Sequence, residues 1–338
     1  DEAQNIKNAF SQTTEAVKKI KAKTKFALTG TPIENSILEL WSIFDFIMPG
    51  FLLPLNRFKK EYKINNIDDD TSMDRLNKLI TPFILRRKKK DVLKDLPDKI
   101  ENNIIVELND EQKKLYLMQL EKTKEELDKL IKDGNVNKSS ILILSLLTKL
   151  RQICIDPRLL FENEIKSSKL DTLIEILNEV KKEHKILLFS QYPSALKLII
   201  PTLDENNITY YYLDGSTKSN KRVELVNKFN KDDTNIFLIS LKAGGTGLNL
   251  TSADVVIHLD PWWNPQVENQ ATDRSHRIGQ KKVVEVIKLI AKGTIEEKIV
   301  ELQNKKQKLS DKIIEGDNRD SINISKMDVE NLKELIGI

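Results

Sequence analysis

Asn235 to Gln280 reads NIFLISLKAGGTGLNLTSADVVIHLDPWWNPQVENQATDRSHRIGQ. An apolar run from Ile236 to Leu241 meets a glycine-rich turn, Gly244-Gly245-Thr246-Gly247. A second run, Val255 to Leu259, meets a tryptophan pair between Pro261 and Pro265, and a polar segment then presents Arg274 and Arg277. The order reads as strand, loop, strand, loop and the start of a helix carrying cations. A guanidinium stays charged and offers a planar fork of donors, so two on one surface of a turn suit a phosphate or a developing phosphoryl charge. Isolated arginines at this spacing are more often a salt-bridged surface pair. The glycine cluster lets backbone amides approach an anion or a nucleic-acid backbone closely, although such a cluster by itself is often simply a turn.

The whole run resembles motifs five and six of the Swi/Snf family of helicase-like DNA translocases, within helicase superfamily two. The family pattern QxxDRxHRxGQ stands here as Gln270, Asp273, Arg274, His276, Arg277, Gly279 and Gln280. In that family it carries arginine fingers that complete an ATP site built mainly by the other lobe. The resemblance therefore implies catalytic roles for Arg274 and Arg277 and nucleotide contacts for Gln270, Gly245 and Gly247.

The chain opens Asp1-Glu2-Ala3-Gln4, and Thr29-Gly30-Thr31-Pro32 follows the short apolar run Phe26 to Leu28. These resemble motifs two and three of the same family, with Gln4 where most members have His. By that resemblance Asp1 organises Mg²⁺ and Glu2 polarises the attacking water. No G-x-x-x-x-G-K-[ST] occurs in the sequence, so the cradle and lysine for the β- and γ-phosphates are missing. The family places that loop upstream, and no Met precedes Asp1. The expectation is a C-terminal part of a longer ATPase that alone neither binds ATP tightly nor hydrolyses it.

Apolar runs at Ile186 to Phe189, Tyr210 to Leu213, Ile236 to Ile239, Val255 to Leu259 and Val283 to Leu289 alternate with helical stretches. Strands so interleaved predict an α/β fold, a parallel sheet with helices on both faces and functional loops at the strand C-termini. Ser190-Gln191-Tyr192, Asp214 to Thr217, Lys242 to Gly247 and Asp260 to Pro265 all fall at such ends. The resemblance makes this sheet a RecA-like second lobe, preceded by a partial first lobe and helical insertions. It implies a grip on DNA phosphates by Thr29, Thr31, Ser190, Gln191, Lys242 and Thr246.

The expected divisions are 1–50, the remnant of the first lobe; 51–110, a helical protrusion and basic linker; 111–165, a helical insertion; 166–293, the second lobe; and 294–338, brace helices. Ile37, Leu40, Trp41, Phe44 and Ile47 recur at helical spacing before Pro49-Gly50, which places Trp41 in a core. The basic run in Leu85 to Pro97 fits either a solvated linker or a DNA-backbone contact, and it resembles the family's LRRxKxxVxxxLP segment. Glu111 to Lys132 and Ser139 to Cys154 read as an antiparallel helix pair ending in an LRQxC element, with Cys154 a packing residue. One of Trp262 and Trp263 is expected to pack between lobes or helices, with DNA contact by the other as the lesser alternative. Thr294 with Glu297 makes a capping box that opens the brace, and Ser325 with Asp328 a second cap.

Across 338 residues, 55 basic against 51 acidic side chains leave a net charge of +4, which neither requires nor excludes nucleic acid. One cysteine permits no internal disulfide, and with three scattered histidines it makes no zinc spacing. No signal peptide or membrane-length apolar run is present. The expectation is a DNA-dependent ATPase using ATP and Mg²⁺ on double-stranded DNA, with RNA polymerase or other DNA-bound proteins as further partners and no membrane. Its expected place is the cytoplasm, on the nucleoid of a bacterium, or the nucleus of a eukaryote. A non-catalytic DNA- or polymerase-binding module is the competing class, and an RNA helicase is disfavoured by the WWNP and DRxHRxGQ forms.

Overall fold

A computed structural model describes residues 1–30, 36–62, 70–87, 89–132, 136–162, 165–181, 183–244 and 247–304. Thr31, Gly245, Thr246 and the brace beyond residue 304, with its second cap, lie outside these residues. The described chain forms two compact units, the first built on Asp1–Arg87 and the second on Lys88–Leu302.

In the first unit, α1 spans Gln12–Lys18, α2 Ile37–Ile47, α3 Leu55–Glu61 and α4 Asp70–Ile80. Ser36 caps α2 by accepting from the Leu38 N–H at 3.2 Å. The apolar stripe of α2 is buried as its spacing predicts: Leu40, Trp41 and Phe44 pack with Phe58 of α3 and Leu76 and Ile80 of α4. The Trp41 indole N–H donates to the Leu52 carbonyl at 2.9 Å, so the ring is a satisfied core residue.

In the second unit, α5 spans Lys89–Val92, β1 Lys99–Val106, α6 Asp110–Lys132, α7 Val136–Ile155 and α8 Ser168–Val180. Then come β2 Ile186–Ser190, α9 Pro193–Glu205, β3 Tyr210–Leu213, α10 Ser219–Phe229, β4 Ile236–Ser240, α11 Leu241–Gly244, β5 Val255–His258, α12 Pro265–Thr272 and β6 Val284–Ala291. Six strands form one all-parallel sheet in the order β1-β6-β5-β2-β4-β3. Every residue of β2, β4 and β5 is buried, which is why these strands read as unbroken apolar runs. Ile186 and Leu188 face α8 and α9, and Leu187 and Phe189 face α10 and α12, so helices cover both faces.

The α/β expectation stands, with one strand added. β1 lies in the stretch divided off as protrusion and linker, yet it pairs with β6 from Lys99↔Val284 to Val106↔Ala291. It is an edge strand, half exposed, with Glu101, Asn102 and Asn103 in its middle, so it lacks the apolar run of a central strand. The helix pair forms as expected: Gln112 near the start of α6 donates to the Ile153 carbonyl near the end of α7 at 2.7 Å, so the two run antiparallel. Among the described residues no helix is long and apolar enough to cross a membrane.

Candidate nucleotide and nucleic-acid site

β2 lies between β4 and β5, and the chain passes from β4 over β2 to reach β5. Register pairs Ser190 with Ser240 and Phe189 with His258, so the loops after these strands emerge side by side. Ligands of open parallel sheets bind at such a reversal, outside the carboxyl ends of the strands.

Here the glycine stretch and the arginine turn are bound together. Arg274 Nε donates to the Gly244 carbonyl at 3.0 Å, and Arg277 Nη1 points at the Leu248 carbonyl at 3.3 Å. Both guanidiniums thus sit against the backbone on either side of Gly245 and Thr246. The backbone is fixed too: the Leu250 N–H donates to the Arg274 carbonyl at 2.9 Å, and the Gln280 amide donates to the Ala253 carbonyl at 2.7 Å. Gly244 is required by close approach, since a Cβ there would lie 2.7 Å from Phe189 Cε1. Gly247 and Gly279 take positive φ, +48° and +105°, which other residues resist. Lys242, on α11, is exposed, and Gln270 on α12 is half-buried.

The arginines do not open a helix, contrary to the sequence expectation. Asn264 caps the Gln266 N–H at 3.0 Å with Pro265 in the first turn, so α12 begins earlier and ends at Thr272. Both arginines occupy the turn beyond it, drawn toward residues 244–253 by the bonds above. Arg277 is half-buried, and among the described residues it has no carboxylate partner.

A second cluster fills the sheet end beneath the tryptophan pair. Arg151, near the end of α7, is 1% exposed. It donates to Gln191 Oε1 at 2.6 Å, Asp260 Oδ2 at 3.2 Å and the Pro261 carbonyl at 2.8 Å. Its guanidinium carbon lies 5.3 Å from the Trp262 and Trp263 ring centres and 5.4 Å from that of Tyr192. Ser190 Oγ donates to Asp260 Oδ1 at 2.6 Å. Ser190 is therefore committed to the interior and offers no hydroxyl to a phosphate in this arrangement, whereas Gln191 uses its carbonyl oxygen and keeps its amide nitrogen to donate. Burial pushes the Asp260 carboxyl up, and Arg151 draws it back. Sequence reading gave Arg151 no role, although a lone cation in the apolar run Leu150 to Ile155 is a signal that it must find a buried partner. Both tryptophans are half-buried beside it.

Below this cluster Lys169 and Glu296, both fully buried, pair at 2.6 Å, and Lys169 also donates to the Leu259 and Leu289 carbonyls at 2.8 Å. Cys154 is buried with its thiol pushed up by burial, which matches a packing role. Thr294 Oγ1 accepts from the Glu296 N–H and Glu297 reaches back to the Gly293 N–H, so the expected cap forms one residue out of register.

In the first unit Glu2, Gln4 and Thr29 form a chain. Gln4 Nε2 donates to Glu2 Oε2 at 2.5 Å, and Thr29 Oγ1 donates to Gln4 Oε1 at 2.7 Å. Gln4 thereby links the acidic opening to the Thr-Gly segment. Glu2 takes φ +54°, strained for a non-glycine residue. Asp1 is exposed, and its Oδ1 accepts from the Glu2 N–H at 3.0 Å. Among the described residues no group of three or more His, Cys, Asp or Glu could hold a metal ion. A single exposed carboxylate still fits Mg²⁺, which keeps water ligands and takes one or two carboxylates alongside substrate phosphates.

Known proteins resemble this chain along nearly its whole length. The SNF2-related domain matches residues 1–159, and the helicase conserved C-terminal domain matches residues 168–279. An uncharacterised ATP-dependent helicase of Mycoplasma pneumoniae is 45% identical over 94% of the chain and 30% of its own length. A putative ATP-dependent helicase/translocase of Bacillus subtilis is 42% identical over the whole chain and 37% of its own length. The chain thus spans about a third of these relatives. Among solved structures, the SWI2/SNF2 ATPase core of Sulfolobus solfataricus in complex with double-stranded DNA is 38% identical, matches all of this chain and 72% of its own, and superposes with a TM-score of 0.56. With these two domains matched in order and a solved SWI2/SNF2 ATPase core matched along the whole of its length, the chain belongs to the SWI2/SNF2 family of ATPases.

Proposed function

We propose that these residues supply the DNA grip and the arginine fingers of an ATP-dependent translocase on double-stranded DNA. The observation that carries this is Arg277: a half-buried guanidinium with no carboxylate partner among the described residues, set against the Leu248 carbonyl beside Arg274. A cation held by backbone oxygens keeps most of its donors for an anion that arrives later. Facing the transferring phosphate, such a finger is worth roughly 10³ to 10⁵ in rate.

Asp1 would hold Mg²⁺ together with the nucleotide phosphates, where the ion would supply neutralisation of their charge. Glu2 orients the attacking water, its carboxylate steadied by Gln4 and through it by Thr29. Gln270, Gly245 and Gly247 contact the nucleotide. Thr31, Gln191, Lys242 and Thr246 hold the phosphates of one strand, contacts that carry no sequence information and weaken with salt, while Thr29 gives its hydroxyl to Gln4. Ser190 serves that grip through Asp260 rather than by touching DNA. The relative solved with double-stranded DNA supports the choice of duplex. RNA polymerase or other DNA-bound proteins are the translocase's further partners, in the cytoplasm of a bacterium or a eukaryotic nucleus.

The sequence holds no phosphate-binding loop, so the 338 residues by themselves do not turn over ATP. That absence also favours a second reading, a non-catalytic DNA- or polymerase-binding module on the same fold. Joining these residues to a lobe that carries the loop, and measuring ATP hydrolysis with duplex DNA, single strands and RNA, separates the two. Stimulation by duplex above the others supports the translocase, and no hydrolysis with any of them supports the module.

A further inference from the structure

The linker before β1 is fastened to the arginine turn at two places. Lys89 sets its ammonium 2.6 Å from Asp273 Oδ1 and donates to the His276 carbonyl at 3.0 Å. Further along, the Pro97 carbonyl accepts from His276 Nε2 at 2.8 Å, which fixes the imidazole with its proton on that nitrogen. Asp273 and His276 stand on either side of Arg274, and His276 directly precedes Arg277. All these residues belong to the second unit. Toward residues 244–253 the turn is held by the Arg274 carbonyl and the Gln280 amide; its Asp273 and His276 groups are held by the linker.

We propose that Lys89 is a positioning residue for the arginine pair, its ammonium shared between Asp273 and the His276 carbonyl so that residues 89–97 staple the turn from which Arg277 projects. This rests on Arg277 acting at the transferring phosphate. Lys89 and Asp273 are 40% and 41% exposed, and pairs this wet add little to folding stability. Geometry is more demanding than stability, since a catalytic group displaced by about 1 Å can lose roughly a hundredfold in rate. A staple of small thermodynamic weight can therefore carry a large kinetic one. It also gives the basic run a task other than meeting DNA: one of its cations is already occupied by the protein's own carboxylate.

The test uses the protein in which these residues are joined to a phosphate-binding lobe. Lys89→Met should lower duplex-stimulated kcat by about 5- to 30-fold, inside the cost expected of a misplaced group, while leaving duplex affinity and Tm nearly unchanged. Lys89→Arg should keep most of the rate, and Lys89→Asp with Asp273→Lys should recover part of what Lys89→Asp loses. In an Arg277→Ala background, Lys89→Met should cost less than about twofold, because residues acting as a unit are non-additive. Unchanged kcat in Lys89→Met alongside a collapse in Arg277→Ala overturns the staple and leaves the finger standing. Loss of duplex affinity instead of kcat assigns Lys89 to DNA and also overturns it. If Arg277→Ala itself keeps full kcat, the finger reading is what fails.

Discussion

Replacing Arg151 by Met removes a cation that three hydrogen bonds and three aromatic faces enclose. Methionine fills much of the volume, so the cost is mainly electrostatic. Asp260, with a side chain fully buried, loses its ion-pair partner and keeps the hydroxyl of Ser190 and the Gln191 N–H. Breaking a buried pair by removing one partner costs about 3–5 kcal/mol, and tenfold in an equilibrium is about 1.4 kcal/mol. Hydrogen exchange at the Leu188 and Leu238 amides, in two adjacent fully buried strands, reads the opening of this unit directly. Protection there should fall roughly a hundredfold to a few thousandfold at neutral pH. Burial already raises the Asp260 carboxyl, and without Arg151 it rises further. A group whose folded pKa is raised favours the fold at low pH and loses that advantage as pH climbs, so the penalty of Arg151→Met should shrink as the medium is acidified. Adding Asp260→Asn, which removes the stranded charge and can still accept from Ser190, should restore most of the protection. A single-variant loss below tenfold, or a double variant whose losses simply add, would refute the reasoning.

Two further variants probe the same sheet end. His258 is buried against Phe189, bonded to Thr272 at 3.1 Å, and burial brings its pKa from 6.5 down to about 4. A depressed folded pKa gives stability that is full above pH 6.5 and lost as pH falls toward 4. The loss is about 3 kcal/mol by the lower pH, and His258→Gln should flatten this limb of the curve in denaturant titrations. Gly244→Ala forces a methyl to within 2.7 Å of Phe189 Cε1 and should cost about 1–3 kcal/mol. Because the Gly244 carbonyl holds Arg274, the same change should also perturb the amide resonances of residues 274–277.

Five of the six strands could be read from the sequence because β2, β4 and β5 are buried along their whole length and β6 largely so, while β3, half-buried at the other edge, still runs Tyr210-Tyr211-Tyr212-Leu213 without a break. β1 could not, since an edge strand tolerates Glu101, Asn102 and Asn103 where a central one does not. The motif loops were placed correctly at strand ends, but which of their side chains face inward depends on partners distant in sequence. Ser190 reads as a phosphate ligand until Asp260, 70 residues on, takes its hydroxyl. Likewise nothing local in the basic run says that Lys89 belongs to Asp273, because the two are joined only when β1 pairs with β6 and brings the linker to the turn. Helix α12 opens at Pro265 rather than at the arginines for a local reason, the Asn264 cap and the proline in the first turn.

The central claim is that Arg277 acts on the transferring phosphate rather than on DNA. Its direct test is Arg277→Ala in the protein in which these residues are joined to a phosphate-binding lobe, with duplex-stimulated kcat and duplex Kd measured on the same preparation. The account predicts a fall in kcat of about a thousandfold or more with Kd changed by less than about threefold. An unchanged kcat, or equal losses in kcat and affinity, would contradict it.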